Sequence, residues 1–154
     1  MEEMKLKTSE IVNAYQVLAE ASYEKMADED KIKVWKIARE LKPIALKFEE
    51  DRADAQRKLI PDAEFNQRLQ KARDYEKLLS EGKTELPMTA KEYQEFVVEF
   101  KNKTDLMKAA LTEYADAEVE VNINLLSEDA FSKLMASNNW TLKQVDNIAF
   151  IVNE

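Results

Sequence analysis

Gly82 is the only glycine in a chain of 154 residues, and only three prolines accompany it. With so few chain-reversing residues and abundant Ala, Leu, Glu and Lys, the chain has to be built from long helices with few breaks. Apolar spacing places them. Ile11, Tyr15, Leu18 and Ser22 share one face of a helix predicted over 8 to 26, with Thr8 or Ser9 as its N-cap. Val34, Ile37, Leu41, Ile44, Phe48, Ala55 and Leu59 predict a second helix over 28 to 59, which opens on acids and carries Pro43 as a kink or break. Pro61 separates it from a third helix over 62 to 80, striped by Phe65, Leu69, Ala72, Glu76 and Leu79 and ended by Gly82 as a C-terminal cap. Thr89 and Glu92 form a capping-box pattern that starts a fourth helix over 89 to 116, with Tyr93, Phe96, Val97, Phe100, Met107, Leu111 and Tyr114 mostly three or four apart.

One stretch breaks the helical rhythm. In "AEVEVNINLL", Val119, Val121 and Ile123 alternate with Glu120, Asn122 and Asn124, the period of a half-buried strand. A strand needs a partner for its backbone groups. Three candidates exist: the amino-terminal "MKLK", the carboxy-terminal "AFIV", or another chain. "MKLK" is preferred, because its lysines would lie beside the acids of the strand. Beyond it, Ser127 can cap a short helix, and Thr141 with Gln144 forms a capping box before "LKQVDNIAFIVNE", where Leu142, Val145, Ile148 and Val152 fit a helical face. The fold class expected is mostly α: about three longer helices in a bundle, with a small carboxy-terminal appendage over 118 to 152 containing one or two short strands. A single domain, 1 to 154, holds them.

Composition removes several chemistries. At 45% hydrophobic and 35% charged residues the chain belongs with globular proteins, and the absence of cysteine and histidine rules out disulfides, thiolate nucleophiles and histidine-based triads. A lone glycine leaves no glycine-rich phosphate loop. Glu92, Glu95 and Glu99, or Asp51 with Asp54, sit at helical spacing where a divalent metal would want them. A solvated helix face accounts for them better, so no metal, cofactor or catalytic residue is assigned. The opening "MEEMKLKTSE" lacks an apolar run, and no stretch reaches the length of a bilayer span, so no membrane contact is expected.

The net charge of -8 is uneven: residues 1 to 60 carry 12 basic against 13 acidic side chains, and residues 61 to 154 carry 11 against 18. Such acidity disfavours direct contact with nucleic acid and favours basic partners. Glu113, Asp116, Glu118 and Glu120, continued by Asn122 and Asn124, form one candidate interface. Trp35 and Trp140 are two further candidates, since large aromatics are enriched at contact sites, although both are expected to pack in the core.

The order of "MKLKTSEIVNAYQVLAE", "LKPIALKFEEDRADAQRKLI", "EYADAEVEVNINLLSEDAFSKL" and "LKQVDNIAFIVNE" resembles a family of small phage and prophage proteins of uncharacterised function. That resemblance implies a mobile-element origin, the bacterial host cytoplasm or a virion as location, and a role through binding. It brings no active residues. The function expected is a non-enzymatic accessory, assembly or virion-associated factor acting on a phage structural protein or a basic host protein, with self-association also open. The alternative is an acidic inhibitor of a host nucleic-acid-binding defence protein, its carboxylates standing in for phosphates.

Overall fold

The structure, a computed structural model, describes residues 1 to 153. Its helix starts are where side chains can satisfy the first free N–H groups. The Asp62 carboxylate accepts from the Phe65 N–H at 2.8 Å and opens α3 (Ala63–Ser80). The Thr89 hydroxyl accepts from the Glu92 N–H at 3.1 Å and opens α4 (Ala90–Asp116). Ser127 caps α5 (Glu128–Ala136), and the Thr141–Gln144 capping box opens α6 (Leu142–Ile148), which tightens into a 3₁₀ turn over Ala149–Ile151. Preceding these are a strand β1 (Glu2–Lys7), α1 (Thr8–Ala19) and α2 (Asp28–Arg57), and between α4 and α5 lies the strand β2 (Glu118–Ile123). Among the described residues, then, six α-helices and one two-stranded antiparallel sheet make up the fold, with 69% of the chain helical. This is mostly α, but it is more than three long helices with an appendage.

The chain divides into two compact units. The first comprises Met1–Glu50 and the stretch from Tyr114 onward; the second is Asp51–Glu113. In the first, β1 pairs antiparallel with β2, Met4 opposite Val121 and Leu6 opposite Val119. The carboxy terminus takes up the continuation of the same stretch. The Leu126 N–H donates to the Ile151 carbonyl at 2.7 Å, and the Asn153 N–H donates to the Leu126 carbonyl at 2.8 Å. Thus "MKLK" and the chain end share "AEVEVNINLL" between them. Val121 and Ile123 are buried, and Val119 is half-buried on the same side.

The 118 to 152 region is therefore no appendage. Val121, Ile123, Leu126, Ala130, Phe131, Leu134, Ile148 and Ile151 are half of the main buried cluster; the other half is Ile11, Ala14, Val17 and Leu18 of α1, Met26, and Val34, Ile37 and Leu41 of α2. Covering the sheet with α1, α5 and α6 hides apolar surface that a helix bundle alone would leave open.

One helix end and one expected break differ from the spacing. α1 stops at Ala19 rather than at residue 26, because a side chain far along the sequence captures the next backbone groups. Asn138 accepts from the Ser22 N–H at 2.8 Å and donates to the Ser22 carbonyl at 2.9 Å, holding that segment in a non-helical turn. The Lys25 N–H donates to the Ser137 hydroxyl at 2.9 Å. Conversely, α2 runs unbroken through Pro43. Pro43 and Arg39 are both exposed residues, on the side of α2 where a lost backbone hydrogen bond costs least. The helical face expected at the end of the chain holds only in part: Ile148 is buried, whereas Leu142 is 78% exposed and Val152 lies outside the helix.

Candidate protein interface

The second unit is built around a helical hairpin whose turn obeys local rules. Gly82, at φ +75°, follows the last turn of α3, while the Lys83 N–H reaches the Leu78 carbonyl at 3.0 Å and the Gly82 N–H reaches the Leu79 carbonyl at 3.1 Å. This is the Schellman closure that a glycine in the left-handed region permits. α4 then returns antiparallel to α3: Phe65 meets Phe96 and Phe100, Arg68 meets Glu99, and Tyr75 meets Tyr93.

Few side chains seal this hairpin. Its buried cluster consists of Phe65, Leu69, Ala72 and Phe96, with Met88, Tyr93 and Phe100 packed partly against it. Aromatic geometry supplies much of the cohesion. The Phe65 and Phe96 rings lie 5.4 Å apart, Tyr75 and Tyr93 stack at 4.4 Å, and the Arg68 guanidinium covers Phe96 at 5.2 Å. Beside this seam a groove of about 500 Å³ lies open, floored by Leu69, Ala72, Phe96, Val97 and Phe100. Arg73, Lys101 and Lys108 line it together with Glu76 and Asp105, so its apolar floor has charges of both signs at the rim. Apolar concavity with a polar rim is the anatomy of a surface that receives another side-chain layer.

Three of the acids that could be read as metal ligands, Glu99, Glu92 and Asp54, have partners of their own. Glu99 is bound by Arg68 at 2.7 Å, and the guanidinium hydrogen bond holds its carboxyl below the usual carboxylate range. The same bond raises Arg68. Glu92 is taken by the Thr89 cap, and Asp54 pairs with Arg57. Tyr93 donates to the Glu76 carboxylate, which pushes its phenol up to about 12, with burial and the Glu76 charge adding to the effect. Among the described residues no group of three or more acids, cysteines or histidines is placed to hold a metal ion.

The acidic candidate surface is exposed, but it is not uniformly acidic. Glu113, Asp116, Glu118, Glu120, Asn122 and Asn124 all face solvent. The strand register, however, sets Lys7 opposite Glu118 and Lys5 opposite Glu120, so cations alternate with carboxylates on the outer face of the sheet. The tryptophans part company. Trp140 is half-buried and packs against the main cluster, whereas Trp35 is 55% exposed on α2 with Arg39 5.3 Å above its ring. The expectation of a core position fails for Trp35, because the inward stripe of α2 is Val34, Ile37 and Leu41 and residue 35 falls on the other side.

A basic face on α2 escapes a count taken over sixty residues. Between 31 and 47 six basic residues, Lys31, Lys33, Lys36, Arg39, Lys42 and Lys47, stand against one acid, Glu40. Charge counted over about four turns of helix would have revealed it.

Comparison with known proteins returns no family model, no curated protein and no solved structure that matches this chain. No helix among the described residues is long and apolar enough to cross a membrane.

Proposed function

We propose that this chain is a phage- or prophage-encoded protein that works without catalysis, by contact with other proteins, as an accessory, assembly or virion-associated factor. The observation that carries the contact role is the open α3–α4 groove, where Val97 is 42% exposed and Phe100 half-buried beside the buried Leu69 and Phe96, in a unit with only four residues in its buried cluster. A two-helix hairpin gains most from one further helix or strand laid along such a seam. The phage origin rests on the sequence resemblance. The phosphate-mimic alternative draws less support, since it asks for continuous negative surface and the sheet interleaves Lys5 and Lys7 with its acids.

Mass analysis of purified particles, together with light scattering of the isolated protein, tests the proposal. The expected result is a stable oligomer or a virion component, and Val97→Asp in the groove removes that association while the helical circular dichroism persists. A strict monomer absent from particles overturns the reading.

A further inference from the structure

The outward side of α2 combines apolar and basic residues in a way the core does not use. Ile32 is 53%, Trp35 55% and Leu46 50% exposed. At helical spacing these three form one row with Arg39 and Pro43, opposite the buried row of Val34, Ile37, Leu41 and Ala45. From Ile32 to Leu46 the row runs about 21 Å at the usual rise per residue. Lys36 and Lys47 flank it on one side and Lys31 and Lys42 on the other. Lys31 is tied to Asp28 at 3.7 Å, while Lys33, Lys36, Lys42 and Lys47 join no ion pair among the described residues.

We propose that this face of α2 docks an acidic amphipathic helix of a partner protein. Charge complementarity identifies the occupant. A segment of net +5 stands out on a chain of net -8, and its cations border an apolar row whose length suits three to four turns of a facing helix. Trp35 is the anchor, held over its outer surface by Arg39, which is in turn placed to receive a carboxylate of the partner. A nucleic acid fits less well, because an extended polyanion reaches beyond α2 into the field of an otherwise acidic protein. A lipid surface fits less well too, because the row is interrupted by Arg39 and lacks the continuous apolar face that interfacial helices bury. The inference shares with the proposed function only the premise that the protein acts by contact, and it concerns a different face.

The test uses the full chain with Trp140→Phe, so that emission reports Trp35 alone. The probe is a labelled synthetic helix with leucine at every third or fourth position and glutamate between, compared with its lysine counterpart. Expected are a blue shift of Trp35 emission and binding of the glutamate helix at least about tenfold tighter than the lysine helix. Trp35→Ala should weaken that binding about tenfold or more, and Lys36→Glu with Lys42→Glu should reverse the preference between the two helices. Trp35, Lys36 and Lys42 are exposed, and Trp140→Phe keeps an aromatic ring at its half-buried site, so folding should survive, with circular dichroism as the check. Binding of neither helix, equal binding of both, or no effect of Trp35→Ala overturns the proposal. So does tighter binding to phosphatidylserine vesicles or to oligothymidylate. Val97→Asp, which tests the groove, should leave this binding intact, so failure of one reading is separable from failure of the other.

Discussion

The two units solve the same problem with unequal means. The first surrounds a small sheet with helices and buries sixteen residues in one cluster, with Ile11, Leu18, Leu126, Leu134, Ile148 and Ile151 wholly sequestered. The second closes a hairpin over four. Burial stabilises roughly in proportion to the apolar area removed from water, so the first unit carries its own stability and the second leaves apolar surface to be satisfied elsewhere. The difference teaches where contact surfaces arise: at the α3–α4 seam the core is too small to cover itself, and on α2 the core is already full and the outer row is surplus.

The contrast is most severely tested by paired truncations. Leu134→Ala should cost about 3–4 kcal/mol in urea unfolding, because a fully enclosed side chain leaves a cavity. Phe96→Ala should cost no more than that, about 3 kcal/mol, the low end for a buried phenylalanine, since the cavity it leaves opens onto the groove and can fill with solvent. A cost for Phe96→Ala near about 5 kcal/mol, well above that of Leu134→Ala, would mean that the hairpin is as closed as the main core. Next in size is Asn138→Ala, expected to lose about 2 kcal/mol by leaving the Ser22 N–H and carbonyl without their partner. Hydrogen exchange should then show the 20 to 27 segment opening while the α3–α4 hairpin amides are unchanged. If the hairpin exchanges faster as well, the two units do not respond independently.

A smaller effect separates backbone from packing in the second unit. Gly82→Ala should destabilise by about 1 kcal/mol, purely through its positive φ, because a Cβ there meets no atom within 4 Å. Gly82→Asn, which tolerates the left-handed region better, should recover part of the loss.

The smallest effects come from titration at the groove rim. The folded pKa of Tyr93 is raised to about 12, so the stability it adds is complete below its ordinary value near 10 and is lost as pH rises through about 12. Ultraviolet titration should show a phenol ionising near 12 that disappears in Tyr93→Phe, while the Tyr23 phenol, raised by burial, persists. Glu99 works in the opposite direction: its pKa is lowered, so its contribution is present above the ordinary carboxylate range and lost as pH falls below it. With both partners about 40% exposed, solvent screening should keep Glu99→Gln within about 0.5 kcal/mol at neutral pH.

Much of this architecture was legible in the chain. Three caps, at Thr89, Ser127 and Thr141, and the terminator Gly82 are local motifs, and local motifs act through neighbours in sequence. The alternation at Val119, Val121 and Ile123 likewise announced a strand and its inward face, because period two leaves no other reading. The groove was only half visible: its aromatic stripe could be read as a core face, but nothing in the spacing tells that the facing helix leaves one side of Val97 and Phe100 uncovered.

Tertiary structure alone decided three things. It ended α1 at Ala19, since the competing hydrogen bonds come from Asn138, more than a hundred positions away. It turned the 118 to 152 region from an appendage into half of the main core, because strand pairing joins both chain ends to one stretch. It also put Trp35 outside. Helical periodicity states which residues share a face, whereas which face meets the core depends on what the rest of the chain packs against it.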